Sequence, residues 1–158
     1  MKNNYFYKKL LSSIYKSPSK TSEVISQIIY GEKFDILSKN KNWLKIKTSF
    51  DNYTGYIKNK DYINNFKPTH KILVLKANIF NKKKKKTKSF LTFASKISII
   101  KENKKFVEFE KNKWIEKTNI KKISYIEKNY LKLLKLFLNT KYVWGGKTYK
   151  GIDCSAIL

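Results

Sequence analysis

One thiol in this sequence stands where a nucleophile would be placed. Cys154 is the only cysteine; it follows the pair Gly145 and Gly146, stands directly after Asp153 and before Ser155, and opens the apolar run Ala156, Ile157, Leu158. That run predicts a helix whose first turn carries the thiol. A thiolate is the reactive form of cysteine, and a helix N-terminus stabilises the anion. Backbone N–H groups at such an end can also stabilise a tetrahedral oxyanion. Asp153, directly before the thiol, is suited to cap the helix. A buried structural thiol is the commoner fate of a lone cysteine, but the glycines, the acid and the small residues around Cys154 favour the reactive reading. A single cysteine excludes an internal disulfide framework.

A helix is predicted to precede this loop. From Ser124 to Leu138 the apolar residues Ile126, Tyr130, Leu133, Leu134, Phe137 and Leu138 follow helical spacing. Ser124 and Glu127 read as a capping box, and Asn139 suits the left-handed residue that closes a helix. Before the helix the pattern is that of short strands. Trp43-Leu-Lys-Ile-Lys and Phe106-Val-Glu-Phe-Glu alternate apolar and charged residues, as half-buried strands do. These runs belong to an internal repeat. Phe34, Ile36, Leu37, Trp43, Leu44 and Ile46 align with Ile97, Ile99, Ile100, Phe106, Val107 and Phe109 at one constant offset, and Tyr56-Ile57 matches Trp114-Ile115 after a shortened loop. Some five short strands per repeat predict two small β-barrels or rolls, with Pro68 ending regular pairing between them.

The helix, Tyr142-Val-Trp-Gly-Gly and Gly151-Ile-Asp-Cys-Ser-Ala together resemble the start of an NlpC/P60-family cysteine peptidase domain. The two preceding repeats resemble the bacterial SH3-like domains that often stand before it. The resemblance implies a mainly β chain: a first SH3-like barrel over 1–67, a second over 68–121, and over 122–158 the first helix and Cys-loop of an α+β papain-like domain. It implies a peptidase of cell-wall (murein) peptides that cuts the amide between γ-D-glutamate and a diamino acid. Cys154 would be the nucleophile and Tyr142 an oxyanion-side donor. Asp153 would bind the substrate's amino group, Ser155 would line the same site, and Gly145 and Gly146 would shape the loop for substrate approach. Ala156 stands where the family usually has Gly, and Asn139-Thr140-Lys141 replaces the more usual Gly-Thr-Pro. The family's general-base His and its orienting partner lie C-terminal to the Cys, so the resemblance implies an incomplete enzyme, inactive alone. The alternative is a non-catalytic protein that binds cell-wall peptides through its SH3-like modules. Neither reading calls for a metal or a cofactor.

Other features carry less. Tyr142 and Trp144 suit core packing as well as a site, Trp144 more so. His70, the only histidine, reads as an exposed linker residue. Lys82 to Lys86 read as a solvated loop. Tyr53, Tyr56 and Tyr62 suit either a core or a ligand groove. The net charge is +25, and all 36 basic residues are lysine. Without arginine, the residue of bidentate phosphate and guanine contacts, no specific nucleic-acid reader is expected. Lys, Asn and Ile are over-used together, which is the signature of A- and T-rich codons. With 41% hydrophobic residues the chain has enough apolar side chains for packed cores. No apolar run reaches the length of a membrane span. The N-terminus lacks a secretory apolar region, which favours the cytoplasm, with the cell envelope as the alternative.

Overall fold

The computed structural model describes residues 4–59 and 62–157. Leu158, expected to extend the apolar helix, lies outside them, as do Asp61 and the first three residues. The chain forms two compact units, one of Met1–Phe66 with Thr140–Leu158 and one of Lys67–Asn139. The stretch expected to open a third unit is thus divided between these two. Among the described residues no helix is long and apolar enough to cross a membrane.

In the first unit, seven antiparallel strands form one sheet: β1 (Tyr5–Tyr7), β2 (Leu11–Tyr15), β3 (Val24–Ile29), β4 (Lys33–Lys39), β5 (Trp43–Thr48), β6 (Thr54–Lys58) and β7 (Tyr62–Asn64), in the order β3-β2-β6-β5-β4-β1-β7. Alternation in β5 sends Leu44 and Ile46 into a core with Tyr7, Ile14, Ile28, Phe34 and Ile57. The second unit holds β8 (His70–Ile72), β9 (Lys76–Phe80), β10 (Lys86–Thr92), β11 (Lys96–Ile97), β12 (Lys101–Glu102), β13 (Phe106–Glu110), β14 (Lys113–Glu116), β15 (Ile120–Lys122) and the helix α1 (Tyr130–Leu136). Its core of Ile72, Ala77, Leu91, Ile97, Val107, Phe109 and Ile115 is fully or almost fully buried.

The repeat extends to the backbone. Asn40 and Asn103 occupy the same place in the two hairpin turns. The Asn40 Oδ1 accepts from the N–H groups of Asn42 and Trp43, and the Asn103 Oδ1 from those of Lys105 and Phe106. Gly31 and Ala94 also correspond, and both are left-handed, with φ of 74° and 63°. The buried pairs Ile14 and Ala77, and Ile28 and Leu91, share that spacing.

Two expectations are corrected here. The predicted barrels do not close. Among the described residues β3 and β7, at the edges of the first sheet, do not pair with each other. The second unit splits into a five-stranded sheet, β10-β9-β14-β13-β12, and a three-stranded one, β11-β8-β15. The split has a local cause: the stretch matching the single strand β4 is broken into β11 and β12, each only two residues long. The helix is also shorter than Ser124–Leu138. It begins at Tyr130 because Asn129 caps it, its side chain accepting from the Lys132 N–H at 3.1 Å. Glu127 makes no box with Ser124; its carboxylate takes the Tyr125 hydroxyl and the Asn129 N–H. Asn139 is left-handed as expected, at φ 66°.

Ala94 holds a conformation that costs a residue with a Cβ about 1–2 kcal/mol. Glycine avoids that cost but has about 0.5–1 kcal/mol more backbone freedom to lose on folding. Ala94→Gly should therefore raise stability by roughly 0.5–1 kcal/mol, read as a higher denaturant midpoint at unchanged slope.

Candidate functional site around Cys154

The Cys154 loop is built on the first unit. After Thr140 the chain runs extended, and the Val143 N–H donates to the Ile152 carbonyl while the Ile152 N–H donates to that of Lys141. Tyr142 thus forms a parallel bridge with Ile152, two residues before the thiol. Strands β16 (Lys147–Thr148) and β17 (Gly151–Ile152) form a small hairpin that leads into α2 (Cys154–Ile157). Both glycines are needed. Gly145 has φ +68°, and a Cβ there would stand 2.9 Å from the Ser26 backbone nitrogen of β3. A Cβ on Gly146 would meet the Gly151 carbonyl oxygen at 2.5 Å.

At the start of α2 each residue has a distinct setting. Asp153 is buried, and its Oδ1 accepts from the Ser155 hydroxyl and from the Ala156 N–H, both at 2.8 Å. It is therefore the N-cap. Its own N–H donates to the Gly146 carbonyl, which closes the loop beneath the helix. Cys154 is exposed and free. The Ser155 hydroxyl also lies 3.2 Å from the hydroxyl of Tyr53, between β5 and β6. Tyr142 and Trp144 are largely exposed, so neither packs in a core.

The residue that fixes this loop is Lys147. Its ammonium lies 3.1 Å from Glu32 Oε1 and 2.5 Å from Asp51 Oδ2, with all three side chains nearly buried. Its backbone N–H donates to Gln27 Oε1 at 2.8 Å. Glu32 is held by the Ile29 N–H, and Asp51 accepts from the Thr48 hydroxyl. Burial alone would lower the lysine's pKa, but the charges of Glu32 and Asp51 and the hydrogen bonds to them hold it above its ordinary value. Burial raises the carboxyl of Glu32, the more deeply buried of the two acids, despite Lys147. Asp51 is also partly desolvated, but its hydrogen bonds to Lys147 and Thr48 prevail and hold it below its usual range.

The structure gathers Gly145, Gly146, Asp153, Cys154 and Ser155, singled out in sequence, into one loop, with Tyr142 on the strand beside it. Sequence reasoning missed Glu32, Gln27, Asp51 and Lys147 altogether. Tyr53 was noted as an aromatic but without a partner. His70 is not a linker residue: it pairs in β8 with Ile97 and Lys122 and is half-buried in the second unit. Its ring Nδ1 lies 2.9 Å from the Thr69 hydroxyl. Burial, then the charge of Lys122, lowers its pKa, which keeps the ring neutral. Among the described residues no cluster of His, Cys, Asp and Glu could hold a metal ion.

Lys147→Met leaves two buried carboxylates without their cation and should cost about 3–5 kcal/mol. The triple variant Lys147→Met/Glu32→Gln/Asp51→Asn should recover most of that loss in denaturant titration. The Asp51 contribution is present above the carboxylate's unfolded value and fades as pH falls through its lowered folded value. The Lys147 contribution is present below the amine's unfolded value and fades as pH rises through its raised folded value. Wild type should thus hold the Asp51–Lys147 pair from about pH 4 to about pH 10, while Glu32, raised by burial, takes up its proton at a higher pH than Asp51 as the solution is acidified, checked by stability measured across that range.

Residues 14–61 match the model of the bacterial dipeptidyl-peptidase Sh3 domain. No curated protein matches the chain. Among solved structures, an NlpC/P60 family protein from Bacillus cereus ATCC 10987 superposes with a TM-score of 0.77 at 14% identity, covering 98% of this chain and 70% of that one. NlpC2 and NlpC1 from Trichomonas vaginalis align at 15% and 16% identity over 99% of this chain. The alignments cover 64% and 61% of those proteins, with TM-scores of 0.37 and 0.36, too low to carry an argument about this fold. The chain therefore shares the fold of the Bacillus cereus NlpC/P60 family protein over nearly all of its length, and its first module matches a bacterial peptidase Sh3 domain.

Proposed function

We propose that this chain belongs to a cysteine peptidase acting on murein-derived peptides, with Cys154 as nucleophile. One observation carries the reading: an exposed thiol opens α2 directly after the buried cap Asp153, in the fold shared with an NlpC/P60 family protein. The Cys154 thiolate attacks the carbonyl of a γ-D-glutamyl–diamino acid amide, and N–H groups at the start of α2 stabilise the oxyanion. The C–N bond breaks, the diamino acid's amine leaves with a proton, and water hydrolyses the thioester. The base that takes the thiol proton is, by the family resemblance, a His C-terminal to Cys154. Tyr142 donates on the oxyanion side, and Gly145 and Gly146 keep the approach open. Asp153, Ser155 and Tyr53 form the end that receives the substrate's amine. The SH3-like modules bind or restrict the peptide.

In a form that also carries the C-terminal His, Cys154→Ala should abolish hydrolysis of a γ-D-glutamyl–diamino acid peptide while leaving its binding within about twofold. Equal hydrolysis by the variant would end the proposal. Binding of the same peptide by that His-containing form with no hydrolysis would instead favour a non-catalytic cell-wall-peptide binding protein. Tyr53→Phe should weaken peptide binding about 5–10-fold, the loss of one hydrogen bond of about 1–1.5 kcal/mol, with thiol alkylation by iodoacetamide unchanged.

A further inference from the structure

Composition accounts for how many lysines this chain has, but not for where the fold puts them. Residues 67–139 contain 21 lysines and five acidic residues. All five acids are paired with a lysine: Glu102 with Lys117, Glu108 with Lys101, Glu110 with Lys113, Glu116 with Lys105 and Glu127 with Lys132. The remaining lysines are not spread evenly. The β9–β10 turn carries Lys82 to Lys85, and β10 begins at Lys86. Trp114 of β14 pairs with Phe80, the last residue of β9, and the two strands are antiparallel. The β13–β14 turn, with Lys111, therefore lies at the same end of the sheet as the β9–β10 turn.

This end is ordered. The Asn81 Oδ1 accepts from the N–H groups of Lys83 and Lys85, and Lys84 is left-handed at φ 59°. Lys84 turns inward, its ammonium 2.7 Å from the centre of the Trp114 ring. The lysines around it, Lys82, Lys83, Lys85, Lys86, Lys111 and Lys113, stay exposed. Two acids face the β13–β14 turn beside them: Glu110, paired with Lys113, and Glu108, which accepts from the Asn112 N–H and pairs with Lys101. A fixed turn that holds like charges together raises the local potential and concentrates counter-ions.

We infer that this end of the second module binds a flexible linear polyanion with repeating phosphate groups. The contact is by charge alone. Lysine suits it, as a point charge that needs no planar partner. No exposed aromatic stands in either turn to stack a base, since Trp114 is covered by Lys84.

The test uses the whole chain and inorganic polyphosphate, titrated at several salt concentrations. Lys82→Gln/Lys83→Gln/Lys85→Gln spares Asn81 and Lys84, so the turn keeps its form. Three lost phosphate contacts should make the slope of log K against log salt shallower by about 2. The control Lys20→Gln/Lys41→Gln/Lys47→Gln removes the same charge from exposed positions of the first module, and its slope should be close to that of wild type. Equal change in both variants would overturn the site and leave only net charge. Tighter binding of single-stranded DNA than of polyphosphate of matched charge would overturn the choice of ligand in favour of nucleic acid.

Discussion

The candidate site depends on one buried ion cluster. Lys147 sits between Glu32 and Asp51, and through it the loop that carries Cys154 is seated on the first β module. A buried ion cluster contributes little net stability compared with apolar packing, but breaking it by losing one partner is expensive. Its worth here is geometric. It admits one seating of the β16–β17 hairpin, because a shift would strand two carboxylates away from water. Gln27 and Ser26 fix the same seating from β3, the first by accepting the Lys147 N–H and the second by leaving no room for a side chain at Gly145.

A difference between the two repeats explains why the loop docks on the first module. The two repeats share buried positions, the Asx turn of the central hairpin and the left-handed residue at Gly31 and Ala94. They differ at the residue after that left-handed position. In the first module it is Glu32, which accepts from the Ile29 N–H and from Lys147. In the second it is Ser95, whose buried hydroxyl has no hydrogen-bond partner. The same backbone corner is an acidic socket in one copy and a short neutral residue in the other. Asp153 shows a similar economy: as cap of α2 it shapes the helix that carries the thiol, and in the proposed reaction it also faces the substrate's amine.

What the sequence made legible was whatever leaves a periodic or local mark. The constant offset between Phe34, Leu44, Ile46 and their counterparts exposed the repeat, because burial repeats when folds repeat. The pair Gly145 and Gly146, with Asp153 and Cys154, exposed the loop, because tight turns and caps restrict residue type. The helix start was misplaced because Asn129 and Ser124 are both competent caps, and the choice rests on strand β15 and the turn after it. Barrel closure was not legible, since it depends on strand edges that meet far apart in sequence. Lys147 was invisible for a different reason: one buried lysine among 36 carries no compositional signal.

Native-state hydrogen exchange on the wild-type chain tests the seating most directly. Val143, Gly146, Ile152 and Asp153 donate the backbone hydrogen bonds that hold the loop. If the ion cluster makes the loop part of the first module, these amides should open with the same free energy as those of β4 and β5. Exchange of the loop amides at near free-peptide rates, while β4 and β5 stay protected, would contradict the account.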